Sequence, residues 1–476
     1  ACEKISITVF FFGFALTLFP AVKLVGMFGG CLLLRVVGLR GVEDVAAGLR
    51  SGLAAVEPGA LIRRVIKRRG DCLQIGGKMV ELRRFSDLVI VGGGKAAEGM
   101  AAEMLRFLDG FDVRGVVVVP RGYRLKRRLK PLEVLQGGHP LPDSSSEEAG
   151  RRILETASSC SGDSLAFVLV SGGFSALAAV PAEGVSLQDK VETTSALLKA
   201  GASIDELNTV RKHLSALKGG WLAKNLRCRA FSLILSDVVG DRVDVIGSGP
   251  TAPDPTTFRD ALDVLRRRGV DVSENVWRRL RRGAEGVYPE TPKHGDPCFR
   301  RVVNVVVGGC VDAVKAAAVE MRRRGYSVVA LTSGVVGEAR NVASLFAAVA
   351  RDVVKHGVPH APPFALVAGG ETTVTVRGRG RGGRNQELVL ATLHLLRDVP
   401  RFVFASIGTD GVDGVTDAAG AVAAPQTLRN AAREGIDPLQ FLEDNDSYTF
   451  FSRVGGLVLT GPTGTNVGDL MILAIR

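Results

Sequence analysis

The sequence predicts an α/β protein of more than one domain, with a largely parallel sheet in its first half and a mixed sheet in its second. Three observations carry this. The chain has 476 residues, too many for one compact core. Apolar runs of four to eight residues, among them "DLVIVGGG", "GVVVVP", "LAFVLVSGG" and "AFSLILSD", alternate with helical stretches, the rhythm of βα units around parallel strands. Nearly every glycine-rich stretch follows a strand, and open α/β sheets bind their ligands beyond the carboxyl ends of strands.

In chain order, the first 38 residues stand apart. Residues 5–22 are an uncharged run between Lys4 and Lys23, just long enough for a membrane-spanning candidate and without a small-x-small cleavage site. A start assigned too far upstream, with the true start near Met27 or Val37, or a dispensable extension, accounts for the segment better than an anchor. No membrane association is expected apart from this apolar segment, and a chain lacking residues 1–36 is expected to be soluble and active. From Gly38 the text becomes regular, opening with the helical "VEDVAAGLRSGLAAVEPGALIRRVIKRR". The strand–helix alternation runs on to a strongly basic helical stretch at 258–282. Residues 285–297, with Pro289, Pro292, Gly295 and Pro297, read as a linker. The pattern then restarts with "VVNVVVGG", and the period-two run "TTVTV" suggests one antiparallel strand in a mixed second sheet. The domains so expected are 39–288 and 298–476.

Composition narrows the function classes. Apolar residues make up 46% and charged residues 23%, which excludes a disordered chain. The net charge of +12 fits an anionic partner, whether nucleic acid, an acidic membrane surface or a phosphorylated and carboxylated substrate, although general arginine enrichment produces the same balance. Seven scattered cysteines without a C-x-x-C pair read as reduced thiols of a cytosolic protein and argue against a zinc site.

The motifs lie at strand ends. In "VIVGGGKAAEGM", Gly92, Gly94 and Ala97 formally match a dinucleotide turn, but the next strand ends in Pro120 and Arg121 without the ribose-binding acid. An NADP-dependent oxidoreductase, with Arg121 on the 2′-phosphate, stays open. Lys95 falls at the first turn of a helix, where the macrodipole disfavours a cation, so a ligand anion explains it better than an ordinary tight turn. In "VLVSGGFSAL", Ser171 and Ser175 flank two glycines and suit a phosphate or polyol, or simply cap a turn; Leu177 breaks the serine-hydrolase pattern. His139 in "GGHPLPD" is a ligand contact or a structural histidine. Asn208, Arg211 and Lys212 share one helix face, either a solvated basic face or an anion site. Asp237 with Asp241, and Asp410 with Asp413 and Asp417, sit in glycine-bearing loops that suit Mg²⁺ or merely turn the chain. Finally, "RGRGRGGRNQELVLA" at 377–391 has the composition of a nucleic-acid-binding tract, but a strand and an apolar helix frame it and no aromatics interleave it. It reads instead as a catalytic loop, with Arg384 at a helix entry facing the oxygens of a transferring phosphoryl group, and no nucleic-acid partner is expected.

From about residue 42 onward the chain resembles the class II glycerate kinases (glycerate 2-kinase of the MOFRL type). The resemblance rests on "VGGGKAA", "GGHPLPD", "SGGFSAL", "LNTVRKHLSALKGG", "SDVVGD" with "GSGPTAPD", "GGETTVTVRGRGRGGRNQE", "GTDGVDGVTDAAGA" and "LTGPTGTNVGDL". It implies two three-layer α/β/α domains, the first Rossmann-like, with the active site in the cleft between them. It implies ATP-dependent phosphorylation of D-glycerate with Mg²⁺ in the cytoplasm, at the 2-hydroxyl or alternatively the 3-hydroxyl; homodimerisation stays open. Lys95 and Arg384 would be catalytic. Gly93, Gly94, His139, Ser171, Gly172, Gly173, Ser175, Asn208, Arg211, Lys212, Glu371 and Asn385 would contact substrate or nucleotide, and Asp237 and Asp410 the metal. Two departures are Phe174, which stands where the family has a small residue, and the first 38 residues, which have no family counterpart.

Overall fold

The structure, a computed structural model, describes residues 40–476 together with the two-residue strand Val22–Lys23. The apolar extension otherwise lies outside the described residues. Among the described residues no single helix is long and apolar enough to cross a membrane.

The first sheet has six strands, in the order Val302–Gly308, Arg229–Leu235, Ser164–Val170, Asp87–Gly93, Val113–Pro120 and Glu133–Gly137, all parallel. Its central strands are continuous apolar runs because helices cover both faces; all of Ser164–Val170 is buried. Alternation then sorts the side chains. Leu88 and Ile90 enter one core with Met100 and Met104 of the helix Ala97–Phe107, while Val89 and Val91 enter the other with Ala149 and Ile153 of the helix Ser144–Ser158. Asp143 starts that second helix with a reciprocal capping box to Ser146.

The second sheet has seven strands, in the order Val22–Lys23, Leu457–Leu459, Gly420–Ala423, Phe402–Gly408, Asp469–Ile475, Phe364–Thr373 and Ser327–Glu338. It is mixed, as expected, but not through "TTVTV". Only Thr372 and Thr373 of that run belong to a strand, whose edge neighbour is parallel to it. The C-terminal strand Asp469–Ile475 is antiparallel to both neighbours, and Gly420–Ala423 adds further antiparallel pairs. The alternation downstream of Thr373 has another cause, described below.

The domain limits expected from the linker do not coincide with the division between sheets. The strand Val302–Gly308, beyond the linker, is the edge of the first sheet. The helix Arg40–Ala55, at the other end of the chain, packs on the second: Gly52 faces Leu470 and Ala313, and Gly48 faces Ile472 and Met321. Apolar periodicity shows that a segment is a strand or helix but not which sheet receives it. As a result one core runs unbroken from Leu88 and Phe167 to Ile407 and Ile472. A helical lobe completes the first half. It comprises Leu187–Lys199, Ile204–His213, Phe258–Arg268 and Glu274–Ala284 around Leu207, Phe258 and Leu280, so the basic stretch at 258–282 is two helices.

The turn after Asp87–Gly93 depends on backbone contact. Gly92 has φ +138°, and a Cβ there would collide with the Leu169 carbonyl of the neighbouring strand. Replacing Gly92 by Ala is expected to destabilise the protein by roughly 3 kcal/mol, from overpacking and a disfavoured φ together, as read from the urea midpoint.

Candidate active site

The strand ends of both sheets open onto one cleft of about 1060 Å³, to which the first sheet contributes Lys95 and His139 and the second Glu371, Arg384 and Asp410. Lys95 lies in the turn just before the helix Ala97–Phe107, rather than within its first turn, and its amide donates to the Gly172 carbonyl at 2.9 Å. Its ammonium crosses the cleft to donate to Asp410 Oδ2 at 2.6 Å.

Arg384 is the first residue of the helix Arg384–Leu395. Its Nε and Nη2 donate to the two oxygens of Asp469 at 2.7 and 3.0 Å, and Nη1 lies 2.8 Å from Glu371 Oε1. Asp469 is fully buried. Burial opposes the arginine's charge, yet Asp469 and Glu371 outweigh it and hold the guanidinium above its ordinary value. The next two residues serve this clamp. Asn385, expected to meet a ligand, is 1% exposed and spends its polar atoms internally: Nδ2 donates to Asp413 and Asp469, and Oδ1 accepts from Ser406. Asp413 also accepts from the backbone amides of Asn385 and Gln386 at 3.0 and 2.9 Å and from Gln386 Nε2 at 3.0 Å, capping the helix from outside. Asn385 is therefore a positioning residue.

The remaining candidates divide. Gly93 and Gly94 are tight against Val118 and Ser171, and buried Ser171 accepts from the Ala96 amide and donates to the Gly93 carbonyl. These three shape the turn that carries Lys95. Gly172 lies against Asp237, and Gly173 against His139 and the Lys95 stem, with no room for a side chain between. His139 is pushed down to about 4 by desolvation and by the Lys95 ammonium, so its ring is neutral near pH 7. Asp237 accepts from Asn466 Nδ2 at 3.0 Å. Burial and then the Glu371 carboxylate push Asp237 up to about 7, against the pull of Lys95. Among the described residues no group of three or more His, Cys, Asp or Glu side chains is arranged to hold a metal ion by itself.

Asn208, Arg211 and Lys212 are not a solvated face. Asn208 is buried and accepts from Ser248, whose hydroxyl is also 2.7 Å from Ser175; Lys212 is buried and pairs with Asp254 at 3.3 Å. Ser175, Ser248 and Asn208 thus form a second polar group, two residues beyond Gly173 in the chain.

Residues 377–383 form a strap on the loop 444–446. The amides of Arg377 and Gly378 donate to Asn445 Oδ1 at 2.8 and 3.0 Å, that of Arg379 to Asp444 Oδ1 and that of Arg381 to Asp446 Oδ1, each at 2.8 Å. Gly378 and Gly380 press on the Asp444–Asp446 backbone, where a Cβ would collide, while Arg377, Arg379 and Arg381 face outward. This is the physical reason for the RGRGR alternation. Sequence reasoning missed Asp469, whose only signal is a carboxylate heading the apolar run "DLMILAI".

A lysine and an arginine delivered to one cleft by two sheets, each set against carboxylates, define a phosphoryl-transfer enzyme of the two-sheet α/β type. Comparison with known proteins narrows this. A domain of unknown function, DUF4147, matches residues 44–281, and the MOFRL family matches 364–469. Glycerate 2-kinase of Pyrococcus horikoshii is 38% identical, covering 93% of this chain and 97% of the relative, and D-glycerate 2-kinase of Thermotoga maritima is 41% identical over 81% and 90%. A protein of Agrobacterium vitis named putative hydroxypyruvate reductase is 39% identical over 81% and 87%. The crystal structure of Thermotoga maritima glycerate kinase superposes with a TM-score of 0.78 at 37% identity, covering 91% of this chain and 99% of that one. The chain belongs to the glycerate kinase family.

Replacing Asp413 by Ala leaves the backbone amides of Asn385 and Gln386 without their acceptor and takes one of two acceptors from each of their side-chain amides. The expected loss is roughly 3–5 kcal/mol in urea unfolding, with activity falling as Arg384 loses its footing.

Proposed function

We propose that the chain transfers the terminal phosphoryl group of ATP to the 2-hydroxyl of D-glycerate, giving 2-phosphoglycerate and ADP. One observation carries the reading beyond family likeness: Lys95 and Arg384, 289 positions apart, reach the same cleft with carboxylates fixing both. Both substrates are anionic, so cations on both walls meet the charge that spreads over the transferring oxygens. Arg384 is pre-oriented by Asp469 and waits in place. Lys95 exchanges Asp410 for a phosphate oxygen when the nucleotide enters, so its cross-cleft pair holds it ready without ligand. Neutral His139 offers a ring nitrogen beside the acceptor hydroxyl, and no strong base is demanded by a loose transition state.

The acid set fits a divalent cation. Mg²⁺ usually takes one or two carboxylates and otherwise phosphates and water, and Asp237 feels repulsion from Glu371 and Asp410 that a cation relieves. Asp237 and Asp410 would hold it, and when bound it neutralises phosphate charge. The free thiols Cys160, Cys228 and Cys298 fit a reducing, cytoplasmic setting.

The reductase name of the Agrobacterium vitis relative favours a second reading, an NADP-dependent oxidoreductase. The residues weigh against it. Arg121, the residue that a 2′-phosphate would need, is engaged by Asp143 at 2.7 Å and Ser145 Oγ at 2.8 Å.

The test is ATP with D-glycerate, followed by proton-coupled phosphorus NMR. A doublet product resonance identifies 2-phosphoglycerate, a triplet identifies 3-phosphoglycerate, and no product with either hydroxyl refutes the kinase reading. Lys95→Ala and Arg384→Ala are each expected to lower kcat by at least about 100-fold; Lys95→Ala keeps the wild-type urea midpoint, while Arg384→Ala lowers it because buried Asp469 loses its counter-ion. Near-normal rates in both would remove the assignment.

A further inference from the structure

The outer strands of the two large sheets end in different ways. In the first sheet Val302–Gly308 is covered: Gly76 lies against Val303 and Val305, Leu61 packs on Gly308, and Arg64 donates to the Val307 carbonyl at 3.0 Å. At the other edge of that sheet, Glu133–Gly137 has five residues and begins with a charge. In the second sheet Val22–Lys23 closes one edge with two residues. The remaining edge, Ser327–Glu338, is twelve residues long, and among the described residues it pairs on one side only, with Phe364–Thr373.

An open edge presents unpaired backbone groups that attract another strand, and soluble proteins ordinarily blunt it with lysine, proline or a covering segment. This edge has neither charge nor proline from Ser327 to Gly337. Leu331 is 44% exposed and Val336 61%. The Val328 carbonyl faces the open side, where Arg322 Nη2 reaches it at 3.4 Å. Pairing with the inner neighbour shifts register between Ala330 and Val335, which leaves two regular stretches, 327–330 and 335–338.

The flanking helices widen the apolar strip. Cys310–Arg323 turns Ala313 and Ala317 toward the helix Arg40–Ala55 and leaves Val311 and Val319 exposed on the side away from it. Ala339–His356 bonds through Arg340 and Arg351 to Glu387 and Leu395 of the Arg384 helix, and it leaves Leu345 exposed on the side away from them. Large apolar side chains thus gather along the one long edge that nothing among the described residues covers, which marks an interaction surface.

We infer that a second copy of this chain pairs with Ser327–Glu338 across a two-fold axis, joining the two seven-stranded sheets edge to edge. Two features select self-pairing. Antiparallel strands related by such an axis bring 327–330 of one copy opposite 335–338 of the other, so the regular stretches meet each other and the irregular middle meets itself. The charges agree with this direction. Arg322, Arg323 and Arg324 precede the strand and Glu338 ends it, so the basic end of each copy meets the acidic end of the other. The exposed valines and leucines of the strip then face their own counterparts. The inference is independent of the kinase reading.

The experiment is sedimentation equilibrium of the full chain, comparing wild type with Leu331→Lys, Val336→Lys and the double variant. Met79→Lys is the control, because it puts the same charge on an exposed position of the small three-stranded sheet. Wild type and Met79→Lys are expected to be dimers at micromolar concentration. Each edge variant is expected to weaken dimerisation by at least about tenfold and the double variant by at least about 100-fold, since a lysine ammonium would be buried between apolar side chains. Hydrogen exchange of the amides at 327–338 is expected to slow as the concentration of wild-type protein rises, and not in the double variant. If the double variant does not fold, the single variants and the concentration dependence of wild-type exchange carry the test. Wild-type protein that stays monomeric, or an assembly that the edge variants leave intact, overturns the inference. A ladder of larger species that the edge variants abolish also overturns it, because a two-fold contact closes at two copies.

Discussion

A buried carboxylate at the head of the last strand holds the active cleft together. Asp469 lies at the carboxyl end of the central second-sheet strands, where both neighbours run antiparallel to its own, and it is completely excluded from solvent. Such a charge is tolerable only with a counter-ion and a full set of donors, and Arg384 and Asn385 supply them. The same bonds fix the entry of the Arg384 helix against the sheet. Asp413 repeats the device one layer out, collecting the amides at the helix start. Arg384 is thus not a flexible side chain at a loop tip. It is the cleft end of a polar network rooted in the core, with Nη1 turned to Glu371, which also lines the cleft.

The opposite wall is built differently. Lys95 rides on a turn whose glycines allow the strands to approach, with Ser171 tying the turn's own amide and carbonyl together. Its cross-cleft bond to Asp410 joins the two walls through a partly exposed ion pair. One wall is held by buried, many-centred bonding and the other by this ion pair. Behind both, the shared core between the sheets sets the relative position of the walls, because the Arg40–Ala55 helix and the Val302–Gly308 strand each cross to the other half.

Much of this was legible in the residues, for reasons that can be stated. Lys95 and Arg384 stand out because glycines at strand ends and helix starts narrow the chemistry to anion contact, and the strand–helix rhythm places those ends on one side of a sheet. The glycerate kinase likeness added the pairing of the two cations. Ligand contact was expected of Gly93, Gly94, Ser171 and Asn385; Gly93, Gly94 and Ser171 also build the turn that carries Lys95, Asn385 bonds to Asp413, Asp469 and Ser406, and a solvated face was the alternative weighed for Arg211 and Lys212. A polar residue in a loop motif reads the same whether it faces a ligand or another part of the protein; Asn385 with Asp413 and Ser406 is the case in point. Lys218 stood in a motif already singled out, "LNTVRKHLSALKGG", but its burial, like that of Lys190, is a property of packing.

From the chain alone came the α/β class, the parallel and mixed character of the sheets, the family, and the two cations of the cleft, because these depend on local periodicity and on residue types at element ends. Only the tertiary structure decided which sheet receives each strand, that Asp469 anchors Arg384, and why the arginines of the strap alternate with glycines. Each of those is a contact between segments far apart in sequence, and local pattern holds no record of the partner.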